Sequence, residues 1–200
     1  ITLVYSLSIG LSMAATAMVA PRVGAKRPEA AGRAAAQAIL LALGLSVAIA
    51  VPGMLFADEI LRLMGGTEVL VASGTGYTCI MLGANLVIML LFLINGIFRG
   101  AGDAALAMRA LWVANGINIV LDPLLIFGPG PFPELGVQGA AVATSIGRGI
   151  GVGYQVYHLL RGSGVIRLRI AHFLPDPILL RRLLRVGATG AGQFLIASAS

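Results

Sequence analysis

The sequence predicts an all-α membrane protein, a polytopic bundle of helices that crosses the bilayer several times. Of its 200 residues, 58% are hydrophobic and only 11% are charged, whereas about a quarter of the residues of a soluble domain are charged. The apolar residues form runs of about 20 or more, the length that crosses roughly 30 Å of hydrocarbon. Such runs are too long for the strands of a membrane barrel, and backbone groups in lipid must be hydrogen-bonded internally. Each run is therefore predicted to be a helix.

Five spans and the start of a sixth follow from the positions of these runs. The five lie at approximately residues 1–20, 34–56, 69–98, 104–127 and 135–160, and the sixth begins within 186–200. The first run has neither an initiator Met nor a positively charged leader, so it is interpreted as a span cut out of a longer chain rather than as a signal peptide. The uncharged run 69–98 is longer than one span needs, so we expect this helix to tilt, kink or extend beyond the bilayer.

The basic residues are distributed unevenly among the connections, and this distribution predicts the topology. Twelve of the 14 lysines and arginines fall in residues 21–33, 99–109 and 161–185. The positive-inside rule makes these three connections cytoplasmic and the connections between them external. A nucleic-acid binder would instead gather its bases on one polar face. The net charge of +6 is therefore interpreted as a topology signal, and nucleic acid is not expected as a partner.

The run 110–127 contains the most informative polar residues. Asn115, Asn118 and Asp122 stand at positions i, i+3 and i+7, so they share one stripe of a helix. An ionised carboxylate at the centre of a span costs about 2.5 to 3.5 kcal/mol on insertion scales, and it persists where it faces a bundle interior or a wet cavity. Pro123 removes the helical hydrogen bond that would end at the carbonyl of Ile119. Together these features predict a cation or proton site at Asp122.

The same polar residues also have purely structural interpretations. Asp122 is consistent with a position close to the outer interface, where it would face water. Arg148, the one base in the run 135–160, is equally consistent with a counter-ion for a carboxylate and with a side chain that snorkels towards the cytoplasm. His158 and His172 are predicted to be solvated at the cytoplasmic edge. Other polar residues inside the spans can simply hydrogen-bond neighbouring helices; they are Asn85, Asn95 and Thr144.

Enzyme chemistry has little support in the sequence. Residues 100–103, Gly-Ala-Gly-Asp, match the Gly-x-Gly-Asp pattern of intramembrane aspartyl proteases, which need two carboxylates that share a proton. However, Asp103 lies in a predicted cytoplasmic connection, and no Tyr-Asp partner occurs in another span. The single cysteine, Cys79, provides neither a disulfide framework nor a thiolate metal site. Since the metalloprotease, P-loop and hydrolase motifs are also lacking, we predict no enzyme, no metal and no cofactor.

Three successive motifs resemble a known family. They are IFRGAGD at 97–103, NGINIVLDPLLIFG at 115–128 and LGVQGAAVAT at 135–144. This succession resembles the multidrug and toxic compound extrusion (MATE) transporters, particularly their prokaryotic DinF-like branch. The resemblance covers essentially the whole chain, and the run 99–144 is highly specific to it.

The resemblance implies a fold and a location. Members have twelve spans in two six-helix lobes, which are related by a two-fold axis normal to the membrane. On that template residues 1–160 are spans two to six of the N-terminal lobe, residues 161–185 are the cytoplasmic linker between the lobes, and residues 186–200 begin span seven and the C-terminal lobe. The expected location is the plasma membrane of a bacterium, its inner membrane, where the protein is expected to be a monomer.

The resemblance also implies a function, the export of cationic or amphipathic drug-like compounds in exchange for H⁺ or Na⁺. Asn118 and Asp122 match the fifth-helix pair of the coupling cluster of the DinF-like branch, Asn95 matches its fourth-helix Asn, and Thr144 matches its sixth-helix Thr. Further candidates for lining the cavity are Asn85, Asn115 and Arg148.

Three other functions stay open. A lipid-linked oligosaccharide flippase of the same superfamily shares the architecture, but it is expected to line its cavity with several bases, and here only Arg148 qualifies. An intramembrane aspartyl protease would need a second catalytic group. A scaffold that transports nothing would tolerate an inert Asp122.

Overall fold

The computed structural model describes residues 2–129, 131, 133–161, 166 and 168–199, and these residues are almost entirely helical. The all-α fold predicted from the sequence is confirmed, with no strand in the part of the chain just specified. The helices are α1 (Thr2–Gly24), α2 (Pro28–Leu55), α3 (Ala57–Leu63), α4 (Glu68–Gly83), α5 (Asn85–Gly100), α6 (Ala104–Phe127), α7 (Val137–Arg161) and α8 (Pro177–Ala199), and a short 3₁₀-helix covers Ile170–Phe173.

Four of the predicted spans are long and apolar enough to cross a membrane. Helices α1, α2 and α6 pass individually, and α4 and α5 pass together as one span that bends by 42° at Ala84. The long uncharged run 69–98 therefore kinks, which is one of the three outcomes expected from its length. Its break places Asn85 at the first position of α5.

Helix α7 is long enough to span the bilayer, but it is not among the helices that are apolar enough. Its 25 residues extend about 38 Å at the usual rise of an α-helix. The hydropathy of α7 is lower than that of those four spans because a set of its polar residues faces the bundle rather than lipid. Thr144 and Arg148 both contact neighbouring helices, and Gln155 is fully buried. A span that buries polar groups inside a bundle does not need a uniformly apolar sequence.

Helix α8 begins earlier than the apolar run at its end suggests. The apolar pattern predicts that the sixth span begins within 186–200, and the helix that contains this stretch starts at Pro177. Asp176 accounts for the difference, because its Oδ1 accepts hydrogen bonds from the backbone N–H groups of Ile178 and Leu179 at 3.1 and 3.2 Å. This is the N-cap geometry that begins helices, with proline at the first helical position. The predicted linker 161–185 therefore includes the first turns of α8.

Helix α1 occupies the middle of the bundle, with α5 on one side and α8 on the other. Glycines allow both close approaches. A Cβ at Gly96 would lie 2.4 Å from the carbonyl oxygen of Ser12, and a Cβ at Gly10 would lie 2.3 Å from the carbonyl oxygen of Gly187. Small residues at crossing points let helix backbones touch in lipid, where packing rather than hydrophobicity drives association.

Residues 169–176, which we call the linker strap, are fastened to α2 by one buried amide. The Nε2 of Gln37 donates to the carbonyl oxygens of His172 and Leu174 at 2.9 and 2.7 Å. The Oε1 of Gln37 accepts from the N–H of Asp176 at 2.9 Å. Because Gln37 is fully buried, these bonds replace water for the strap backbone.

An ion pair supports the same contact from the outside of α2. Glu29 lies 2.8 Å from Arg169 and 3.3 Å from the Nε2 of His172. His172 is only 7% exposed, so the prediction of a solvated His172 was wrong. The ring is covered because the strap folds back onto α2, a contact between residues far apart in sequence. The strap is therefore part of the same packed body as α2.

We expect Gln37→Ala to release the linker strap, because its backbone groups would lose their buried partner. A buried group left unpaired costs about 1 to 3 kcal/mol, which corresponds to about ten- to a hundredfold faster exchange of strap amides. Hydrogen–deuterium exchange of the full-length protein measures this at the amide of Asp176. Glu29→Gln is the control, since an exposed ion pair contributes about 0 to 1 kcal/mol. Unchanged strap exchange in Gln37→Ala would contradict the assignment.

Candidate functional site

Three polar side chains meet where α6 packs against α7, and we call them the outer cluster. The Nδ2 of Asn118 donates to the Oδ2 of Asp122 at 2.9 Å. The Oγ1 of Thr144 donates to the Oδ1 of Asn118 at 3.4 Å. The amide of Asn118 thus connects a carboxylate on its own helix to a hydroxyl on the next. All three residues are half-buried.

The carboxylate of Asp122 has one oxygen bonded and one oxygen free. Its Oδ1 is buried and has no hydrogen-bond partner within the described residues. A buried acceptor without a donor costs free energy unless something binds it. The arrangement can therefore take up a proton or a small cation at Oδ1 while Asn118 holds Oδ2 in place.

The connection between α6 and α7 sets the register of the two helices. Gly128 ends α6 with a φ of 59°, a left-handed conformation that favours glycine. Leu135 and Gly136 then donate backbone hydrogen bonds to the carbonyls of Leu125 and Ile126 at 3.0 and 3.3 Å. This turn brings α7 back against α6 so that Thr144 comes level with Asn118.

Glycines on α7 keep the two helices in contact at the site. A Cβ at Gly139 would lie 2.2 Å from the carbonyl oxygen of Leu125, and a Cβ at Gly147 would lie 2.7 Å from the carbonyl oxygen of Ala114. Gly147 is also close to the backbone of Asn118, at 3.3 Å from its nitrogen. The outer cluster therefore depends on a spacing that only a residue without a side chain permits at these positions.

Asn95 is the fourth residue of the predicted coupling set, and it lies in a different place. Its Oδ1 accepts from the Nε2 of Gln155 at 2.7 Å, and we call these two residues the inner pair. Gln155 and Thr144 both lie on α7, eleven positions apart, which is about 16 Å along a helix. The structure thus brings Asn118, Asp122 and Thr144 together, while Asn95 bonds a residue that the sequence analysis did not single out.

The inner pair also has an unsatisfied atom and an adjacent cavity. The Oε1 of the fully buried Gln155 has no hydrogen-bond partner in the described part of the chain. Asn95 is 5% exposed and borders a cavity of about 220 Å³ together with Phe92 and Arg99. The Arg99 guanidinium donates to the Oγ of Ser12 at 2.8 Å, which ties α5 to α1 at this level.

The three residues predicted to line a cavity have different environments. Asn115 is exposed and borders an open cavity of about 500 Å³, whose other lining residues include Trp112 and Ile119. Asn85 is fully buried, and its Nδ2 donates to the carbonyl oxygen of Ser46 on α2 at 3.1 Å. It therefore joins helices at the bend between α4 and α5.

Arg148 contacts a tyrosine of α1. Its Nη2 donates to the hydroxyl of Tyr5 at 2.5 Å, and its Cζ lies 5.4 Å from the centre of that ring. The ring of Tyr5 in turn packs edge-on against Phe92 at 5.9 Å. The Nη1 of Arg148 is buried without a hydrogen-bond partner among the described residues. No carboxylate pairs with this guanidinium among the residues that the structure describes.

Asp103 has a structural role that accounts for the Gly-Ala-Gly-Asp motif. Its Oδ1 accepts from the N–H of Leu106 at 3.1 Å, so Asp103 is the N-cap of α6. Gly102 precedes it with a φ of 86°, which glycine adopts readily. The motif is thus a tight turn followed by a helix start. No group of three or more His, Cys, Asp or Glu residues that could hold a metal occurs among the described residues.

Sequence reasoning missed Gln155, Gln37 and Tyr5. A signal existed for Gln155, because it stands eleven positions after Thr144 and seven after Arg148, on the same face of α7. Gln37 stands near the start of a long apolar run. A polar amide in such a run indicates that the side chain faces the bundle and hydrogen-bonds another buried polar group. Nothing local marks Tyr5 as the partner of Arg148.

We expect Gly147→Ala to destabilise the protein, because its Cβ would push α7 away from the carbonyl of Ala114 and lengthen the bond between Thr144 and Asn118. Overpacking of this kind costs about 1 to 3 kcal/mol. Gly153→Ala is the matched control on the same helix, since a Cβ there meets nothing within 4 Å, and it should be neutral or stabilising. Thermal unfolding of the purified full-length protein compares the two. Equal midpoints for both variants would contradict close packing at Gly147.

Comparison with known proteins assigns the chain to a family. The MatE family model matches residues 1–124, a segment that contains the motif at 97–103 and both Asn118 and Asp122. The chain is 31% identical over 180 residues to the "Probable multidrug resistance protein NorM" of Thermotoga maritima, and the match covers 90% of this chain and 38% of that relative.

Two solved structures are similar to the chain in three dimensions. One is an inward-facing conformation of a multidrug resistance MATE family transporter of the MOP superfamily, with a TM-score of 0.88 and 31% identity over 97% of this chain and 43% of that one. The other is an outward-facing conformation of such a transporter, with a TM-score of 0.88 and 31% identity over 97% of this chain and 42% of that one. The chain thus spans less than half the length of the relatives it matches. The matched family model, together with the membrane helices and these similarities, shows that the chain belongs to the MATE family of multidrug transporters, whose members are transporters and not enzymes.

Proposed function

We propose that the whole protein is a secondary active efflux antiporter, which exports cationic or amphipathic compounds in exchange for H⁺ or Na⁺. One observation carries the proposal beyond family membership. Inside a span, Asp122 has one oxygen held by Asn118 and the other buried without a partner. Such a half-satisfied carboxylate is suited to take up and release a cation, since an intramembrane acid is kept where it serves a transport path.

The first step is the uptake of the coupling ion at Asp122. The ionised carboxylate accepts from Asn118, and Thr144 orients the Asn118 amide from the neighbouring helix. A proton or Na⁺ at the free Oδ1 neutralises the charge and removes its preference for a polar partner. The relative free energies of two arrangements of α6 and α7 then change, which is what a coupled carrier needs.

The end of α6 provides a way to transmit this change. Pro123 lies inside α6 and cannot donate a backbone hydrogen bond to the carbonyl of Ile119. The last turn of the helix is instead joined to the start of α7 by the bonds of Leu135 and Gly136. A change at Asp122 therefore acts beside a weakened point of the helix.

Alternating access is supported by the two structural similarities. The chain resembles an inward-facing and an outward-facing transporter structure equally well, with a TM-score of 0.88 for each over 97% of its residues. A segment that fits both states equally is suited to move largely as one body, while the opening changes around it. The linker strap would move with this body, since Gln37 fastens it to α2.

The cavity beside Asn115 supports the proposed substrate class. It has a volume of about 500 Å³ and presents Trp112, Met108, Leu111 and Ile119 around the amide. Sites for drug-like molecules are mostly apolar, with a few polar groups that orient the ligand. An amphipathic compound with an aromatic part fits this lining, and a cationic group would be attracted to the carboxylate of Asp122.

We also propose the branch of the family, the oligomeric state, the location and the topology that the resemblance implies. The protein would belong to the prokaryotic DinF-like branch and act as a monomer in the inner membrane of a bacterium. Residues 21–33, 99–109 and 161–185 would face the cytoplasm, which puts the outer cluster in the external half of the lobe and the inner pair in the cytoplasmic half. The linker strap would then lie at the cytoplasmic surface.

We expect Asp122→Asn to reduce ion-coupled efflux strongly, because the amide keeps the size and a hydrogen bond to Asn118 but does not exchange a proton or cation. The loss should be about ten- to a hundredfold, the range of typical coupling free energies. A dye-efflux assay in cells that express the complete gene measures it under an imposed H⁺ or Na⁺ gradient. Asp103→Asn is the matched control on the same helix, since asparagine also caps helices well. Normal efflux by Asp122→Asn would refute the role of Asp122.

A further inference from the structure

Arg148 and Asp122 carry complementary unsatisfied atoms on two helices packed against each other. In the apolar runs 110–127 and 135–160, Asp122 is the one acid and Arg148 is the one base. The Oδ1 of Asp122 is a buried acceptor without a donor, and the Nη1 of Arg148 is a buried donor without an acceptor, as far as the described residues go. A buried charge with an unpaired polar atom is expensive in a bilayer. The guanidinium of Arg148 could therefore supply the donor that Asp122 lacks, and the carboxylate of Asp122 the acceptor that Arg148 lacks.

The helix geometry points the two side chains towards each other. Helices α6 and α7 run antiparallel, and Thr144 and Asn118 are in contact across them. Asp122 lies one turn beyond Asn118 on α6, and Arg148 lies one turn beyond Thr144 on α7. Because the helices are antiparallel, the two Cα atoms lie on opposite sides of this contact, roughly 12 Å apart along the helix axes. Side chains on a helix lean towards its own N-terminus. The Asp122 side chain therefore leans back towards Asn118, and the Arg148 side chain leans back towards Thr144.

The contacts that now hold Arg148 are neutral and replaceable. Its hydrogen bond goes to the hydroxyl of Tyr5, and its cation–π contact is with the same ring. No ion pair of Arg148 occurs within the part of the chain that the structure describes. A carboxylate accepts a stronger, charge-assisted hydrogen bond from a guanidinium than a phenol does. A rearrangement of α7 against α6 and α1 that brings the two groups together would thus allow Arg148 to exchange the tyrosine for Asp122.

We propose that Arg148 is a built-in counter-cation for Asp122, which pairs with the carboxylate when neither a coupling ion nor a cationic substrate is bound there. This inference rests on the proposed function, because it assigns a competitor to the same carboxylate. A cation that binds Asp122 must displace the guanidinium, which then returns to Tyr5. The arrangement in the structure, with Arg148 on Tyr5, is the one that leaves Asp122 open to a cation.

The competition predicts opposite effects for two substitutions. Arg148→Gln removes the competitor, so a cation should bind Asp122 more tightly. Tyr5→Phe removes the hydroxyl that holds Arg148 away from Asp122 but leaves every charge in place, so a cation should bind more weakly. A general loss of structure would weaken binding in both variants. The opposite signs therefore separate the proposed competition from a purely structural role.

The test measures binding of ethidium, a monovalent aromatic cation, to the purified full-length protein at one fixed pH by fluorescence. We expect Arg148→Gln to bind about tenfold more tightly, the scale of one unit-charge interaction over a short distance in a protein. Tyr5→Phe should bind several-fold more weakly, because Arg148 loses the hydroxyl that it now contacts. Arg161→Gln is the matched control, since Arg161 forms the same kind of contact with Tyr157 at the exposed end of α7.

A double-mutant cycle shows whether Arg148 acts through Asp122. In the Asp122→Asn background, Arg148→Gln should leave ethidium binding unchanged, because no carboxylate remains for the guanidinium to compete for. The inference is overturned if the tighter binding persists in that background, if Arg148→Gln does not tighten binding, or if Tyr5→Phe tightens it.

Failure of the inference is distinguishable from failure of the proposed function. If Asp122→Asn exports dye normally, the coupling role of Asp122 falls, and the inference falls with it. If Asp122→Asn loses efflux while positions 122 and 148 show no coupling in the binding cycle, only the counter-cation role of Arg148 falls.

Discussion

The hydrogen bond between Asn118 and Asp122 is the interaction on which the candidate site depends. A carboxylate inside a span needs compensation, and in this protein the amide of Asn118 supplies it to one oxygen only. The amide is held in this orientation because Thr144 on the neighbouring helix donates a hydrogen bond to it. Thr144 comes within reach because α7 has glycine where it contacts α6. The hydrogen bond between Asn118 and Asp122, which both lie on α6, thus depends on how α7 packs against α6. The other oxygen of Asp122, Oδ1, is buried and has no hydrogen-bond partner among the described residues, and the proposed exchange of a cation rests on this free oxygen.

Polar contacts distributed along the lobe connect this site to the rest of the fold. The inner pair joins α5 to α7, Arg148 joins α7 to α1, and Asn85 joins α5 to α2. Gln37 then attaches the linker strap to α2. In a bilayer such bonds are among the few forces that hold helices together, because lipid is as apolar as the helix surfaces. They tie the helices of the described chain into one packed unit, which is equally similar to an inward-facing and an outward-facing relative.

The sequence predicted those parts of the structure that follow from local patterns. Hydropathy predicted an all-α bundle of apolar helices, because each helix in lipid must satisfy its own backbone, and a kink was one of the three outcomes that it left open for the run 69–98. Helical spacing predicted that Asn118 and Asp122 share a stripe. The apolar pattern marked a span within 186–200 but not the earlier start of the helix at Pro177, although the Asp176-Pro177 cap was present in the sequence.

Contacts between distant residues could not be predicted in the same way. The burial of His172 follows from the strap folding onto α2, and the contact between Arg148 and Tyr5 spans 143 positions. Asn95 was grouped with Asp122 by resemblance, yet its amide bonds Gln155, since the bend at Ala84 and the packing of α5 on α7 decide which residues it meets. No periodicity within one helix encodes the rotation of that helix against another.

Infrared difference spectroscopy of the purified full-length protein is the most direct test of the central claim, that Asp122 exchanges a proton or cation as the transporter works. Addition of a cationic substrate should change a carboxyl or carboxylate band, and isotopically labelled aspartate identifies the band as that of an aspartate. We expect this band to be present in the difference spectrum of the parent protein and absent from that of Asp122→Asn. An identical aspartate band in both proteins would contradict the account.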